Sequence, residues 1–217
     1  MGSSPSRLTD RHDVLVIDAS VAINLLGSGS PDELLRALQR RVVIEETARD
    51  EVWRNPISRH PAREALDRLV DDGLLVYHRL SEGAYSVFVE LTGADPPNDL
   101  GDGEAATIAH AEDISATIVV DDKKAERIAV ARSSSVAVLS TLDMLSAAAV
   151  VGALDRERLA DLTTAMLQNA RMRVSMRFRE WVTGLIGPER TVQCQSLGVA
   201  VGPIAAVATR RNTPTTK

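Results

Sequence analysis

Residues 100–129 read LGDGEAATIAHAEDISATIVVDDKKAERIA, and this stretch decides the fold. Gly101-Asp102-Gly103 is turn chemistry, and Glu104 stands where a first helical turn begins. Ala105, Ile108, Ala109 and Ala111 then recur at helical spacing. Ala116-Thr117-Ile118-Val119-Val120 is a short β-branched run suited to a buried strand. It stops on Asp121-Asp122, and Lys123 to Ala131 is helical again. One αβα unit thus places acidic residues at a helix start and at a strand's carboxyl end. Open α/β sheets bind ligands just outside those carboxyl ends.

Upstream, Val14–Ile17 predicts a strand ending on Asp18, with Ser20 as N-cap of a helix through Val21, Ala22, Leu25 and Leu26. Pro31–Arg40 predicts a second helix, Arg41–Ile44 a second strand, and Ala48–Arg54 a helix after Glu45-Glu46-Thr47. Pro56 and Pro61 bracket a loop, Ala62–Asp72 is an amphipathic helix, Leu74–Tyr77 a strand and Tyr85–Thr92 a helix. Downstream come a strand at 137–139, a helix over Thr141–Ala149, and a long patterned segment, Asp155–Leu185, with a break near Ala170–Met172. Leu162, Met166, Ala170, Val174, Trp181 and Leu185 mark its apolar face. Strands alternating with helices predict an α/β fold with a mainly parallel sheet of about five strands.

The expected organisation is a flexible arm (1–12), a main domain (13–154), C-terminal helices packed on it (155–186) and a disordered tail (187–217). A net charge of −5 provides no global basic field, so a nucleic-acid enzyme would need a local Lys/Arg patch. The lone cysteine, Cys194, excludes an internal disulfide framework and fits a reducing cytoplasm. The first residues lack the apolar core of a signal peptide, and no apolar run reaches the roughly 20 residues of a membrane helix. A soluble, cytoplasmic protein is expected.

Asp18, Glu51, Glu104 and Asp121/Asp122 can converge on one cleft at the strand ends. Each has an ordinary structural use as well: a helix-entry turn for Asp18, a solvated charge for Glu51, a first-turn dipole residue for Glu104, a cap for one of the aspartates. Asp102 can be the N-cap of the helix carrying Glu104, and Glu45 and Glu46 compete with Glu51 as first-turn acids. Packed carboxylates repel one another unless a cation joins them. An all-oxygen donor set without His or Cys favours Mg2+ or Mn2+, and its natural chemistry is phosphodiester hydrolysis. Arg171, Arg173, Arg177 and Arg179 form either a solvated helix face or a phosphate-contacting patch for RNA. His12, His60, His78 and His110 show no ligand spacing, and Trp53, Trp181, Phe88 and Phe178 are assigned to core or interface.

The ordered set IDASVAINLL, VVIEETARDEV, LGDGEAATIAHA, TIVVDDKKAERIA and VLSTLDMLSAAAVVGAL resembles PIN-domain proteins. The nearest likeness is to the branch with a GEAxA-type third motif and a DD pair, often the toxins of VapC-like toxin–antitoxin modules. The resemblance spans roughly Val14 to Leu154 and weakens towards Ile186. It implies a three-layer α/β/α sandwich and a Mg2+- or Mn2+-dependent ribonuclease. Matched motif by motif, it implies Asp18, Glu51, Glu104 and Asp122 as the catalytic acids. Asp121 is the near-equal candidate for the last place, and the metal set is Asp18, Glu104, Asp121 and Asp122. Ser20 matches a hydroxyl position that supports the first acid. The resemblance also implies an RNA substrate, an antitoxin partner, a homodimer and no membrane. Two other readings fit parts of the pattern: a catalytically silent PIN-like scaffold that binds protein partners, and a receiver-like phosphoacceptor domain. The latter lacks the Lys it needs after the last strand.

Overall fold

The computed structural model describes residues 4–54, 62–132 and 136–197. Five parallel strands, β1 (Val14–Ile17), β2 (Arg41–Glu45), β3 (Val76–His78), β4 (Thr117–Val119) and β5 (Val138–Leu139), form one sheet in the order β3-β2-β1-β4-β5. Leu15 faces both Val42 and Thr117 across the ladders, and Ile17 faces Ile44 and Val119.

Alternate residues of these strands enter different cores, and for that reason the strands read as unbroken apolar runs. Leu15, Ile17, Val42, Ile44 and Val119 point into the larger core, which Phe178, Leu162 and Met166 close from the far side. Val16, Val43, Ile118 and Val120 point into a second one with Ile108, Leu91 and Ile128. The helices segregate accordingly. The larger core takes α1 (Ala19–Gly27), α2 (Pro31–Leu38), α3 (Glu46–Arg54), α4 (Ala62–Asp71), α8 (Thr141–Leu145), α9 (Ala148–Ala153), α10 (Arg156–Asn169) and α11 (Met176–Gln193). The other takes α5 (Glu82–Thr92), α6 (Asp102–Asp113) and α7 (Lys123–Arg132). The expected three-layer α/β/α sandwich is what the chain forms.

The chain moves outwards from β1 through β2 to β3, then returns to the other side of β1 for β4 and β5. The order therefore reverses between β1 and β4, and a crevice opens at their carboxyl ends. Asp18 follows β1 there, and Asp121-Asp122 follow β4.

Several elements depart from expectation. The third strand lies one to two residues later than Leu74–Tyr77, and the Thr141–Ala149 helix is broken into α8 and α9 by extended backbone at Ala147. The long segment divides after Asn169, and Arg171 takes a left-handed φ of 55°. The break resets the helical phase, so Phe178, Val182 and Ile186 are the buried side chains of α11, while Val174, Trp181 and Leu185 pack only partly. The helical run does not end at Ile186. It kinks at Gly187 (φ 82°), and Pro188 opens a new turn that continues to Gln193. Pro is tolerated there because a first-turn N–H has no intrahelical partner. Cys194 and Leu197 are buried beyond it. Residues 198–217 of the expected tail and the Pro56–Pro61 loop lie outside the described residues.

The expected N-terminal arm is pinned where it is described. The Arg7 amide donates to Asp143 Oδ1 at 2.9 Å, and the Ser6 hydroxyl donates to the Asp143 carbonyl at 2.6 Å. Asp143 is fully buried and also receives Arg177 at 2.7 Å from α11. These contacts hold its carboxyl below the ordinary range in spite of burial.

On the opposite layer, His110 of α6 is buried, with neither ring nitrogen hydrogen-bonded among the described residues, its centroid 4.9 Å from that of His78. Burial, then the neighbouring His78, lowers its pKa. A histidine depressed in the fold gains protons more readily when unfolded, so stability falls as pH drops below about 6.5. Replacing His110 with Leu removes two unpaired polar atoms. His110→Leu is expected to raise the melting temperature, by more near pH ~5.5 than near pH ~7.5. Thermal denaturation followed by circular dichroism at both pH values checks this.

Candidate active site

Asp18 is the N-cap of α1, the place that Ser20 was expected to fill. Its extended backbone (φ −78°, ψ 165°) brings β1 into the helix, and its Oδ2 accepts from the Ser20 amide at 3.3 Å. Ser20 is instead the second residue of the helix, and its hydroxyl donates to the same oxygen at 2.7 Å. Asp18 is 3 % exposed, and its Oδ1 has no hydrogen-bond partner among the described residues. That orphaned oxygen belongs to the residue at the centre of the strand-order reversal.

Glu51 lies on α3 and reaches the start of α6, where its Oε1 accepts from the Gly103 amide at 2.9 Å. The contact requires glycine: a Cβ on Gly103 would stand 2.5 Å from Glu51 Oε2. Glu104 is one residue further on, half-buried, its Oε2 3.3 Å from the Gly101 amide. Gly101 is the N-cap of α6. Asp102 is therefore an exposed first-turn residue and not the cap; its charge acts on Glu51.

The two aspartates after β4 are held differently. Asp122 caps α7, its Oδ1 accepting from the amides of Lys124 (2.7 Å) and Ala125 (3.1 Å). Asp121 turns towards α8 and α1, accepting from the Thr141 amide and hydroxyl and from Asn24. Glu45 and Glu46 fall outside the group. Glu45 Oε2 accepts from the Thr47 amide at 2.6 Å, and Glu46 pairs with Arg49 and Arg79.

Asp18, Ser20, Ile23, Glu51, Arg54 and Glu104 line an open cleft of about 450 Å³. Burial raises the carboxyl pKa of Asp18, and the Asp122 charge adds to it. Glu104 is raised by burial, then by Asp18 and Asp122; Glu51 is raised by burial, then by Asp18 and Asp102. Asp121 is raised by burial, with Asp18 contributing. This mutual repulsion places Asp122 in the same electrostatic group as the cleft acids. Among the described residues no three His, Cys, Asp or Glu side chains are gathered tightly enough to hold a metal ion as they stand. The donors nevertheless fit one: all are carboxylate oxygens, Arg54 and Lys124 offset their repulsion only in part, and among the described residues a buried oxygen of Asp18 is unpaired.

A family model described as a PIN domain matches residues 14–187, most of the chain. The chain belongs to the PIN-domain family. No curated protein and no solved structure matches it. PIN domains are nuclease-type domains that typically use divalent metal ions, so the family and the charge pattern of the cleft agree. Among the described residues no helix is long and apolar enough to cross a membrane.

The arginine group corrects a sequence expectation. Residues 171–175 form the connection between α10 and α11, not a helical face; Arg171 and Arg173 are exposed on it. Arg177 is occupied, bonding Asp143 and the Pro5 carbonyl (3.1 Å) and lying 4.0 Å from the Phe178 ring centroid. Arg179 bonds the Leu197 carbonyl. Sequence reading missed Arg54, whose charge partly offsets that of Glu51 beside it, and Lys124, which does the same for Glu104. For Arg54 the spacing held a signal: it is three residues after Glu51 on one helix, and neighbours at that spacing share a face. Asn24 and Thr141 gave none, because each looks like an ordinary helix residue.

Two outcomes follow for this PIN domain. In Gly103→Ala the added methyl meets only the movable end of Glu51, so the variant folds but displaces that carboxylate. Its Mn2+ affinity, measured calorimetrically, is expected to fall about 10-fold while the melting temperature stays within a few degrees. Asp18 is raised in the fold, so its favourable contribution is complete below about pH 3.9 and is lost as pH rises through its folded pKa. Asp18→Asn is therefore expected to melt ~2–4 °C higher than wild type at neutral pH in EDTA, with the difference vanishing near pH ~4.

Proposed function

We propose that this PIN-domain protein is a Mg2+- or Mn2+-dependent endoribonuclease, acting in the cytoplasm as the toxin of a toxin–antitoxin module. The observation that carries the hydrolase reading is the unpaired, buried Asp18 Oδ1 at the strand reversal, with Glu51, Glu104 and Asp122 charged around it. The RNA and toxin parts rest on the order of the motifs, from IDASVAINLL to the DD pair.

Asp18, Glu104 and Asp122 would hold the cation, with Glu51 completing the ring of charge. When bound, the cation supplies water activation and neutralises charge on the phosphate. The chain's own residues provide position. The Ser20 hydroxyl fixes one oxygen of Asp18 and leaves the other for the ligand. The Gly103 amide fixes Glu51, and the amides opening α7 fix Asp122. Arg54 stands on the cleft wall and presents a positive charge to an incoming phosphodiester, in a protein whose net charge is −5.

The test is cleavage of single-stranded and structured RNAs with Mn2+ or Mg2+ against EDTA. Wild type runs beside Asp122→Asn and Glu104→Gln purified identically. The expected result is metal-dependent cleavage that drops about 100-fold or more in both variants. Equal cleavage by all three, or none with any metal, overturns the nuclease reading. Induced in cells, wild type is expected to arrest growth and Asp122→Asn to leave it unchanged; equal growth removes the toxin role alone.

A further inference from the structure

Asp121 and Asp122 are adjacent acids at one strand end, yet their surroundings assign them different work. Both oxygens of Asp121 are engaged: Oδ1 accepts from the Thr141 amide at 2.9 Å, and Oδ2 accepts from Asn24 Nδ2 at 2.7 Å and the Thr141 hydroxyl at 2.5 Å. Asn24 is 5 % exposed and Thr141 fully buried, so neither can exchange Asp121 for water. Asn24 Nδ2 also lies 3.4 Å from the Thr141 hydroxyl, which closes the three side chains into one network. Asp122 has only Oδ1 committed, to two amides of α7, and its Oδ2 has no donor among the described residues.

Resting on the metal-dependent reading of the cleft, we propose that Asp121, Asn24 and Thr141 form a positioning network that sets Asp18 and Asp122, and that Asp121 is not itself a ligand. Asn24 belongs to α1, whose first residue is preceded by Asp18. Thr141 opens α8 directly after β5. Asp121 precedes Asp122 by one residue at the end of β4. The network thus ties together the three elements that meet at the strand reversal, and the two acids on either side of it cannot move independently. Taking one of its oxygens for a cation would strand Asn24 or Thr141 without a partner in a dry site. Partners behind a ligand that fix its orientation govern metal affinity nearly as strongly as the ligand.

The experiment is calorimetric titration with MnCl2, with melting curves in EDTA and in MnCl2, on wild type, Asp121→Asn, Asp122→Asn, Thr141→Val, Thr141→Ser and Asn24→Ala. Thr141→Val, Asn24→Ala and Asp121→Asn are expected to keep the wild-type stoichiometry while their Kd for Mn2+ rises about 10–100-fold. Thr141→Ser, which keeps the hydroxyl, is expected to bind within about threefold of wild type, and Asp122→Asn to lose binding. The inference is overturned if Asp121→Asn loses Mn2+ as completely as Asp122→Asn. It is equally overturned if Thr141→Val and Asn24→Ala melt lower in EDTA but bind Mn2+ as wild type does, since the network would then serve stability alone. Should Asp121→Asn fail to fold, Thr141→Val and Asn24→Ala decide the matter. Failure of wild type to bind Mn2+ removes the metal reading itself, and this inference with it.

Discussion

A carboxylate buried at the end of the central strand, with one oxygen unpaired and like charges beside it, sets the terms for the rest of this molecule. Asp18 is desolvated, and the neighbouring Asp122 raises its pKa further. Such a group destabilises the fold that holds it. The scaffold must therefore be rigid enough to keep the acids in place without their counter-ion. The two-sided core supplies that rigidity: β1 contributes Leu15 and Ile17 to one layer and Val16 to the other, all almost fully buried. A residue at the end of such a strand has little freedom to swing towards solvent.

The same tension explains why each acid near the cleft is anchored by an uncharged donor. Ser20 holds Asp18, the Gly103 amide holds Glu51, and the α7 amides hold Asp122. A lysine or arginine bound directly to these oxygens would relieve the repulsion but would also occupy the place a cation needs. Arg54 and Lys124 act at one remove, offsetting part of the rise at Glu51 and Glu104 without closing the site. Full ion pairing is found elsewhere, at Asp143 with Arg7 and Arg177.

Much of this arrangement could be read from residue pattern. Parallel strands buried on two faces leave an unbroken apolar signature, and VLVI, VVI and TIVV located β1, β2 and β4 to within a residue or so. Acids that interrupt such runs are conspicuous, so Asp18, Glu104 and the DD pair stood out. What stayed hidden depended on partners distant in sequence. Nothing local shows that Gly103 is small because Glu51 reaches it, or that Asn24 and Thr141, separated by 117 positions, share one carboxylate. The arginines misled for a related reason: a count of charges near residue 175 cannot show that Arg177 is committed to Asp143. The helical phase of α11 was lost at the Arg171 turn, because a break of unknown geometry erases the register that periodicity relies on.

Asp143 gathers contacts from Arg7 and Arg177, 136 residues before it and 34 after it. During synthesis this amino-terminal arm leaves the ribosome before α8, so its anchor does not exist until α8 has followed. The second arginine arrives later still, with α11. The amino-terminal arm and α11 are thus fastened to one point on the short helix whose first residue, Thr141, grips Asp121. The cleft cannot be set in its final geometry until α11 has been made, and a nascent fragment carrying only the acids would lack the frame that aligns them.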